Sequence, residues 1–137
     1  MKLSLDEYNK VKAMIPGLFQ YEPNALFTQT ALAITDDDLV FYDDSMPTDK
    51  KEGTYHYAIK KRVNLEEVLM VLDEKIIKNP QLSEFGRFTF VEEKQEDCLE
   101  FYYFLRDKKQ VVSFIKELRA QGLKVKKRKV DLKQVKF

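Results

Sequence analysis

Residues 98–106 restrict the fold more than any other segment, because apolar side chains fall on both of its faces. In an extended conformation Leu99, Phe101 and Tyr103 point to one side, whereas Tyr102 and Phe104 point to the other. A strand of this kind needs cover on both faces, so it must be central in a sheet or lie beneath a helix. With 44% hydrophobic residues, 10 Phe and 7 Tyr, the chain has enough apolar material to build such a core.

Residues 27–42 carry the pattern of a β-hairpin with an acidic tip. Thr30, Leu32 and Ile34 share one strand face, three consecutive aspartates stand at residues 36–38, and residues 39–42 resume an apolar run. Aspartate tolerates turn conformations and bonds to nearby backbone amides, which gives the three aspartates a structural reason to lie at the tip. After an exposed loop, alternation over residues 54–60 predicts a half-buried strand with His56 on its outward side.

An N-terminal helix is predicted to begin near Leu5. Ser4 and Glu7 form a capping box, and apolar residues then recur at helical spacing until Pro16 ends the segment. We therefore interpret residues 1–19 as a helical extension. Its apolar stripe is expected to fold back onto the body of the same domain.

A second helix, the clearest in the chain, is predicted near the C-terminus. Asp107 and Gln110 resemble a capping box, and an apolar stripe follows from Val111 to Leu118. Gly122 then ends the segment, since glycine favours the conformation that terminates helices.

Residues 65–77 fit two structures equally well. Asn64 and Glu67 offer a capping arrangement, and the apolar positions that follow recur at helical spacing. Residues 68–72, five apolar residues in a row, equally suit a strand that is buried on both faces. Periodicity does not choose between the helix and the strand.

The end of the chain is strongly basic. Residues 124–136 contain seven basic residues and one acid, although the whole chain carries a net charge of only +1. Apolar residues are interleaved with these charges, which favours a terminal strand or a tail with one docked face and solvated lysines. The run also resembles a short nuclear localisation signal, a pattern of poor specificity. The residues expected to contact an anionic surface are Lys124, Lys126, Lys127, Arg128 and Lys129.

The chain offers few groups for catalysis or metal binding. A nucleophile needs a base within hydrogen-bond reach, and the one pair available is Cys98 with His56. Cys98 lies in an aromatic strand pattern that favours a packing role. Zinc needs three or four ligands, and after Asp36 the chain places Val40 and Phe41 where a calcium loop requires an oxygen ligand and a glycine. The isolated glycines form no phosphate loop, so we expect no cofactor, and the ligands present are too few for a metal. The net charge of only +1 gives no field that would attract nucleic acid, so we expect no nucleic acid partner.

The length of the chain, together with the lack of a secretory or membrane-spanning pattern in its sequence, favours a single cytoplasmic domain, residues 1–137. A chain of 137 residues has the common size of one domain, and no Gly-rich or Ser-rich linker divides it. Charged residues interrupt the start of the chain, and its longest apolar run is far shorter than the roughly 20 residues that span a bilayer. One cysteine cannot form an internal disulfide, which fits a reducing compartment.

The order of the predicted elements resembles that of the bacterial pleckstrin-homology-like domains. Residues 32–42 are similar to the family's apolar strand, Ile-Thr, polar turn and Leu-apolar-aromatic strand, and residues 101–118 to its last strand and capping helix. The resemblance covers residues 20–122. It implies an α+β, mainly β fold: a bent antiparallel sheet or partly open barrel of about seven strands, plugged by the C-terminal helix. It also implies that residues 65–72 are mainly strand. Asp38 stands where the family usually presents a basic residue, which removes a handle for anionic headgroups.

These features favour a non-enzymatic interaction module, because the chain offers a core and a surface but no activated nucleophile, metal set or phosphate loop. We expect its partner to be a protein, and a homodimer through a sheet edge is one form that this partner could take. A peripheral contact with anionic membrane lipid, suggested by the resemblance and the basic end of the chain, is the second hypothesis. A cryptic enzyme is the third.

Overall fold

A computed structural model describes residues 2–3, 10–20, 26–43, 57–93 and 99–132. These residues form strands and one α-helix, α1. The bounds of the elements are β1 Lys2–Leu3, β2 Ala13–Phe19, β3 Thr28–Ile34, β4 Asp38–Asp43, β5 Tyr57–Asn64, β6 Val68–Ile77, β7 Phe85–Glu92, β8 Leu99–Phe104, α1 Lys108–Ala120 and β9 Val125–Asp131.

The strands form one open, mixed sheet in the order β1-β5-β4-β3-β2-β8-β7-β6-β9. Pairing is antiparallel throughout, except that β9 runs parallel to β6. The two-residue β1 only extends the edge at β5, so eight strands of ordinary length make up the sheet. The fold is mainly β, as expected. Strands β2 to β8 pair antiparallel, but β9 adds a parallel pairing, so the sheet is mixed and has more strands than the seven or so expected. The basic segment joins the sheet as β9, and a parallel partner requires the crossover that α1 provides.

The hairpin predicted for residues 27–42 is confirmed as β3 and β4. The Thr35 amide donates to the Asp38 carbonyl at 2.9 Å, and the Asp38 amide donates to the Thr35 hydroxyl oxygen at 3.1 Å. Asp36 and Asp37 therefore form a two-residue tip that is closed by both backbone and side chain.

The predicted N-terminal helix is wrong for its second half. Residues Ala13–Phe19 form β2, which pairs with β3 along its whole length and with β8 over its last three residues. Pro16 lies opposite Ala31 of β3 and just outside the stretch that pairs with β8, so on that side of β2 it is at the end of the ladder. A Cβ atom on Gly17 would lie 2.1 Å from the Tyr102 carbonyl oxygen, so only glycine fits this close approach. Residues 4–9, the first half of the predicted helix, lie outside the described residues.

The segment that fitted both a helix and a strand is a strand. Residues Leu65–Glu67 form a single 3-10 turn, in which the Asn64 side-chain oxygen accepts the Glu66 amide at 2.9 Å. The capping arrangement therefore exists, but it caps one turn only, and β6 follows directly. Pairing with β7 on one edge and β9 on the other decides between the two structures.

Helix α1 is confirmed as the C-terminal helix. It ends before Gly122, which has φ of 88°, a conformation that favours glycine. The predicted capping box at Asp107 is wrong, because the 3-10 turn Leu105–Asp107 runs directly into α1 and the Asp107 side chain makes no capping hydrogen bond. Among the described residues, no helix has the length and apolarity needed to cross a bilayer.

The main core lies between the sheet and α1. The buried face of α1 contributes Val111, Phe114 and Leu118, and the Phe114 ring stacks on Phe88 with centroids 5.7 Å apart. Both faces of β8 are buried, since Phe101 is fully buried and Tyr102 is 2% exposed, which confirms that this strand is central. A second, smaller cluster lies on the opposite face of β3, β4 and β5, and Val11 and Met14 pack against it.

Candidate binding surface

Strand β9 gathers the predicted basic residues at one edge of the sheet. It pairs with β6 in parallel, and within the described residues no strand pairs with its other edge. Val125 packs against the main core, which gives the docked position that the sequence indicated. The side chains that the sequence selected are all exposed: Lys124, Lys126, Lys127, Arg128 and Lys129.

Two side chains from outside β9 anchor it. The Glu74 carboxylate on β6 accepts hydrogen bonds from Arg128, one of them from Nε at 3.0 Å. Beyond the strand, the Asn79 side-chain amide donates to the Leu132 carbonyl oxygen. The parallel register places Arg128 directly opposite Glu74, so β9 is held at its middle and just beyond its end.

Glu74 is the centre of a buried polar network. It is fully buried, its Oε1 accepts the Arg87 Nε–H at 2.8 Å, and the Thr89 hydroxyl donates to the same oxygen. Burial alone would raise the pKa of Glu74, but hydrogen bonds from Arg87, Thr89 and Arg128 outweigh burial and lower this pKa below its ordinary value. Glu74 therefore remains a carboxylate at neutral pH and holds two arginines.

The network continues from Arg87 onto β8. Arg87 donates to the Glu100 carboxylate at 2.9 Å and lies within 3.5 Å of the Tyr102 hydroxyl oxygen. Burial raises the pKa of Tyr102, so its hydroxyl stays protonated at neutral pH. Two carboxylates balance two arginines across β6, β7, β8 and β9, so this network joins strands and presents little free charge to a ligand.

Sequence reasoning missed this network, although a signal for it exists. In β6, Glu74 occupies the same strand face as Leu72 and Ile76, where an acid interrupts two apolar residues. In β7, Arg87 and Thr89 alternate with buried phenylalanines. A charged residue at such a position needs a buried partner, but the sequence does not say which one.

Exposed lysines lie side by side on strands β6 and β9. Lys75 on β6 lies directly opposite Lys129, and Lys127 lies opposite Asp73. Asp73 accepts the Tyr103 hydroxyl at 2.6 Å, and no described carboxylate lies within ion-pair distance of Lys127 or Lys129. Like charges directly opposite each other cost roughly 0.2–1 kcal/mol. We call Lys75, Lys127 and Lys129 the lysine face, since the pleat places all three on one side of the sheet.

A second exposed patch lies where α1 begins. Two large apolar side chains are exposed here, Leu105 at 48% and Val112 at 47%. Arg106, Lys108 and Lys109, together with Val112, line an open depression of about 800 Å³. This α1 patch, formed by these five residues, combines apolar side chains with a basic rim.

The acidic hairpin tip is largely occupied by its own cations. Lys12 pairs with Asp36 at 2.5 Å, and Arg62 pairs with Asp38 at 3.0 Å. In the part of the chain that the structure describes, no cluster of three His, Cys, Asp or Glu residues is placed to hold a metal ion.

Two residues weighed for catalysis cannot be placed. His56 and Cys98 both lie outside the described residues. Their pairing therefore stays a hypothesis from the sequence, and the packing role favoured for Cys98 stays one too.

Comparisons with known proteins leave the family open. No protein-family model matches the chain, and no curated protein matches it. Among solved structures it is similar to the hSac2 domain from human phosphoinositide phosphatase Sac2, at 14% sequence identity and a TM-score of 0.44. That alignment covers 93% of this chain and 80% of the other. A likeness at this level carries no argument about function.

Proposed function

We propose that the chain is a non-enzymatic interaction module of pleckstrin-homology-like architecture, and that it binds an acidic segment of a partner protein along β9. The observation that carries the proposal is β9 itself, a row of exposed basic side chains fixed in register at a sheet edge. Because Glu74 holds Arg128, the neighbouring lysines are presented from an ordered backbone, and less conformational entropy is lost when a partner binds.

The architecture supports the proposal in its strand order. Strands β2 to β8 form an antiparallel set of seven, and α1 follows the last of them and packs against β2 and β3. Seven antiparallel strands followed by a helix are what the resemblance to the pleckstrin-homology-like domains implies, although β2 precedes the residues 20–122 that the resemblance covers. Strand β9 is an addition to that set, and it is the element that carries the positive charge.

A protein partner is favoured over lipid at β9 because of what surrounds the lysines. Docking on a bilayer gains most from apolar side chains that enter the interface, with basic residues around them. On β9 the exposed side chains are charged, and Val125 is turned to the core. An acidic protein segment matches this surface by charge alone.

Titration with a labelled acidic peptide tests the proposal. The probe is a glutamate-threonine heptapeptide, and its binding is followed by fluorescence anisotropy at low and at physiological salt. The double variant Lys127→Gln/Lys129→Gln should bind roughly fivefold more weakly, because two exposed charge pairs contribute about 0.5 kcal/mol each. The matched control Lys108→Gln/Lys109→Gln removes the same charge at the α1 patch and should bind as the wild type does. No binding at low salt, or equal losses in both variants, would refute the proposal.

A second candidate function, contact with an anionic membrane surface, is favoured by the α1 patch. Leu105 and Val112 are the kind of exposed apolar residues that enter an interface, and the surrounding basic residues suit acidic headgroups. Sedimentation with phosphatidylserine vesicles tests it. Binding that Leu105→Ser/Val112→Ser abolishes, and that Lys127→Gln/Lys129→Gln leaves intact, would support this candidate. Absence of sedimentation at low salt would end it.

A further inference from the structure

We propose that the acidic partner segment binds as an additional β-strand on the free edge of β9, with acidic residues two positions apart facing Lys127 and Lys129. This inference rests on the proposed function and makes it specific. It names an extended backbone as the binding conformation and a spacing for the acidic side chains.

The direction of the backbone groups in β9 is the first step. Val71 lies opposite Val125, and its amide donates to the Lys124 carbonyl oxygen at 2.8 Å. In a parallel pair a residue bonds to the two residues that flank its partner, so the bonded set of β9 consists of every second residue from Lys124. The N–H and C=O groups of Val125, Lys127 and Lys129 consequently point away from β6, toward the free edge.

The side chains supply the second step. Successive side chains of a strand alternate between faces, so Lys127 and Lys129 lie on one face, two residues apart. Their backbone groups are also the ones that point outward. A strand that adds at this edge would place every second side chain beside these lysines, and acidic residues at positions i and i+2 would meet both charges.

Lys75 gives a reason for choosing this face. It lies opposite Lys129 on β6, and both side chains are exposed. No described carboxylate lies within ion-pair distance of either lysine, although Asp73 and Asp131 lie on the same face of the sheet. An acidic side chain from an added strand would reduce the repulsion between Lys75 and Lys129. Because this repulsion destabilises the free protein, its removal adds to the free energy of binding.

The same lysines have another explanation, which is that they prevent self-association at the edge of the sheet. Charged side chains on a sheet edge, lysine above all, prevent strands from other molecules from adding there. That explanation predicts that no acidic peptide adds to β9. It also predicts that removing the lysine charges makes the protein associate with itself. The two explanations therefore differ in what an acidic peptide does at the β9 amides.

Amide hydrogen exchange, followed by NMR on the full chain, tests the inference. The probe is the glutamate-threonine heptapeptide, and the control is the same peptide with N-methyl groups on every second amide, which keeps the charge but blocks one hydrogen-bonding edge. We expect the unmodified peptide to slow exchange at the Val125, Lys127 and Lys129 amides at least tenfold. The inward-facing amides of Lys126 and Arg128 are the internal reference, and they should change much less. The peptide methylated on the facing edge should bind at least fivefold more weakly.

The outcomes separate the two proposals. Peptide binding without slower exchange at the outward amides, or equal binding of the unmodified and the N-methylated peptide, overturns strand addition and leaves acidic-segment binding standing. No binding of either peptide at low salt overturns the proposed function and this inference with it. Self-association of Lys127→Thr/Lys129→Thr without peptide binding by the wild type assigns the lysines the protective role.

Discussion

Removing the charge of Glu74 should be the most damaging single change in the polar network. Glu74→Gln keeps the size of the side chain but removes the buried carboxylate from Arg87, whose side chain is 8% exposed, and leaves Glu100 as its ionic partner. Breaking a buried ion pair by removing one partner costs about 3–5 kcal/mol, and because Glu100 still compensates part of the Arg87 charge we expect a loss of about 3 kcal/mol. The free energy of unfolding of a domain is commonly about 5–15 kcal/mol, so the variant should still fold.

Glu100→Gln is the matched control, since it removes a carboxylate from the same arginine at the exposed end of the network. The Glu100 side chain is 47% exposed, and its bond to Arg87 is 2.9 Å long, close to the 2.8 Å bond between Glu74 and Arg87. Solvent screens an exposed pair, so this variant should lose under about 1 kcal/mol. Urea unfolding at pH 7 measures both. Equal losses in the two variants, or a loss below about 1 kcal/mol for Glu74→Gln, would refute the reasoning from burial.

The same network predicts how stability depends on acid. The pKa of Glu74 is lower in the folded chain than its ordinary value of 4.5, so the unfolded chain takes up a proton first as the pH falls. Stability from Glu74 is therefore fully present above about pH 4.5 and is lost progressively below it. Urea unfolding between pH 3 and pH 7 should show a flatter acid limb for Glu74→Gln. An identical acid limb in both proteins would assign the acid sensitivity to other carboxylates.

Three further changes test other contacts. Gly86→Ala should lower the free energy of unfolding, measured in urea, by about 2 kcal/mol, because the new Cβ would lie 2.2 Å from Tyr103 Cζ and must displace this ring. A variant as stable as the wild type would show that the strands move apart to accommodate the methyl group. Tyr103→Phe should cost about 1 kcal/mol at neutral pH through the lost bond to Asp73. Burial raises the pKa of Tyr103 above its ordinary 10.0, so wild-type stability should fall as the pH rises past that value, and Tyr103→Phe should remove this part of the fall. Lys75→Glu should raise the free energy of unfolding by about 0.5 kcal/mol, because the repulsion between residue 75 and Lys129 becomes an attraction. The same change should weaken binding of the acidic heptapeptide, because it places a negative charge on the lysine face. Tighter binding would contradict the role given to the lysine face.

The local sequence pattern was sufficient to predict an element where the spacing of apolar residues, or the residues of a single turn, determines the structure. The β3–β4 hairpin, the central position of β8 and the extent of α1 follow from alternation, from aspartates at a tip and from one apolar stripe. The helical spacing up to Pro16 predicts a helix, and β2 was missed because its pairing with β3 and β8 overrides that local pattern. Such pairing joins residues that are distant in the chain, so a local window does not contain it.

The sequence predicted which basic residues form the candidate surface, but it did not predict the contacts that hold them in an ordered strand. Composition alone selects the basic residues of 124–129. That they form an ordered edge strand depends on Glu74, which is 54 residues from Arg128 and 13 residues from Arg87 in the sequence. No motif joins these positions, and their relation appears only when β6, β7 and β9 are neighbours in the sheet.

The parallel pairing of β9 with β6 has a consequence for how the chain is made. Strand β6 begins with five apolar residues, Val68 to Leu72, and β9 pairs with β6 from Val71 onward, on the edge that β7 leaves open. At roughly 5–20 residues per second, synthesis of the 54 residues between Glu74 and Arg128 takes several seconds. Throughout that interval one edge of β6 has unpaired backbone N–H and C=O groups beside apolar side chains. Strands of other molecules can pair with such an edge, which favours aggregation. A chain that ends at Gly122 would keep this edge uncovered permanently, and static light scattering should find it aggregated; a stable monomer would contradict this view. Strand β9 therefore protects the edge of a strand that is synthesised before it, and we expect the solubility of the nascent chain to depend on how soon β9 pairs with β6.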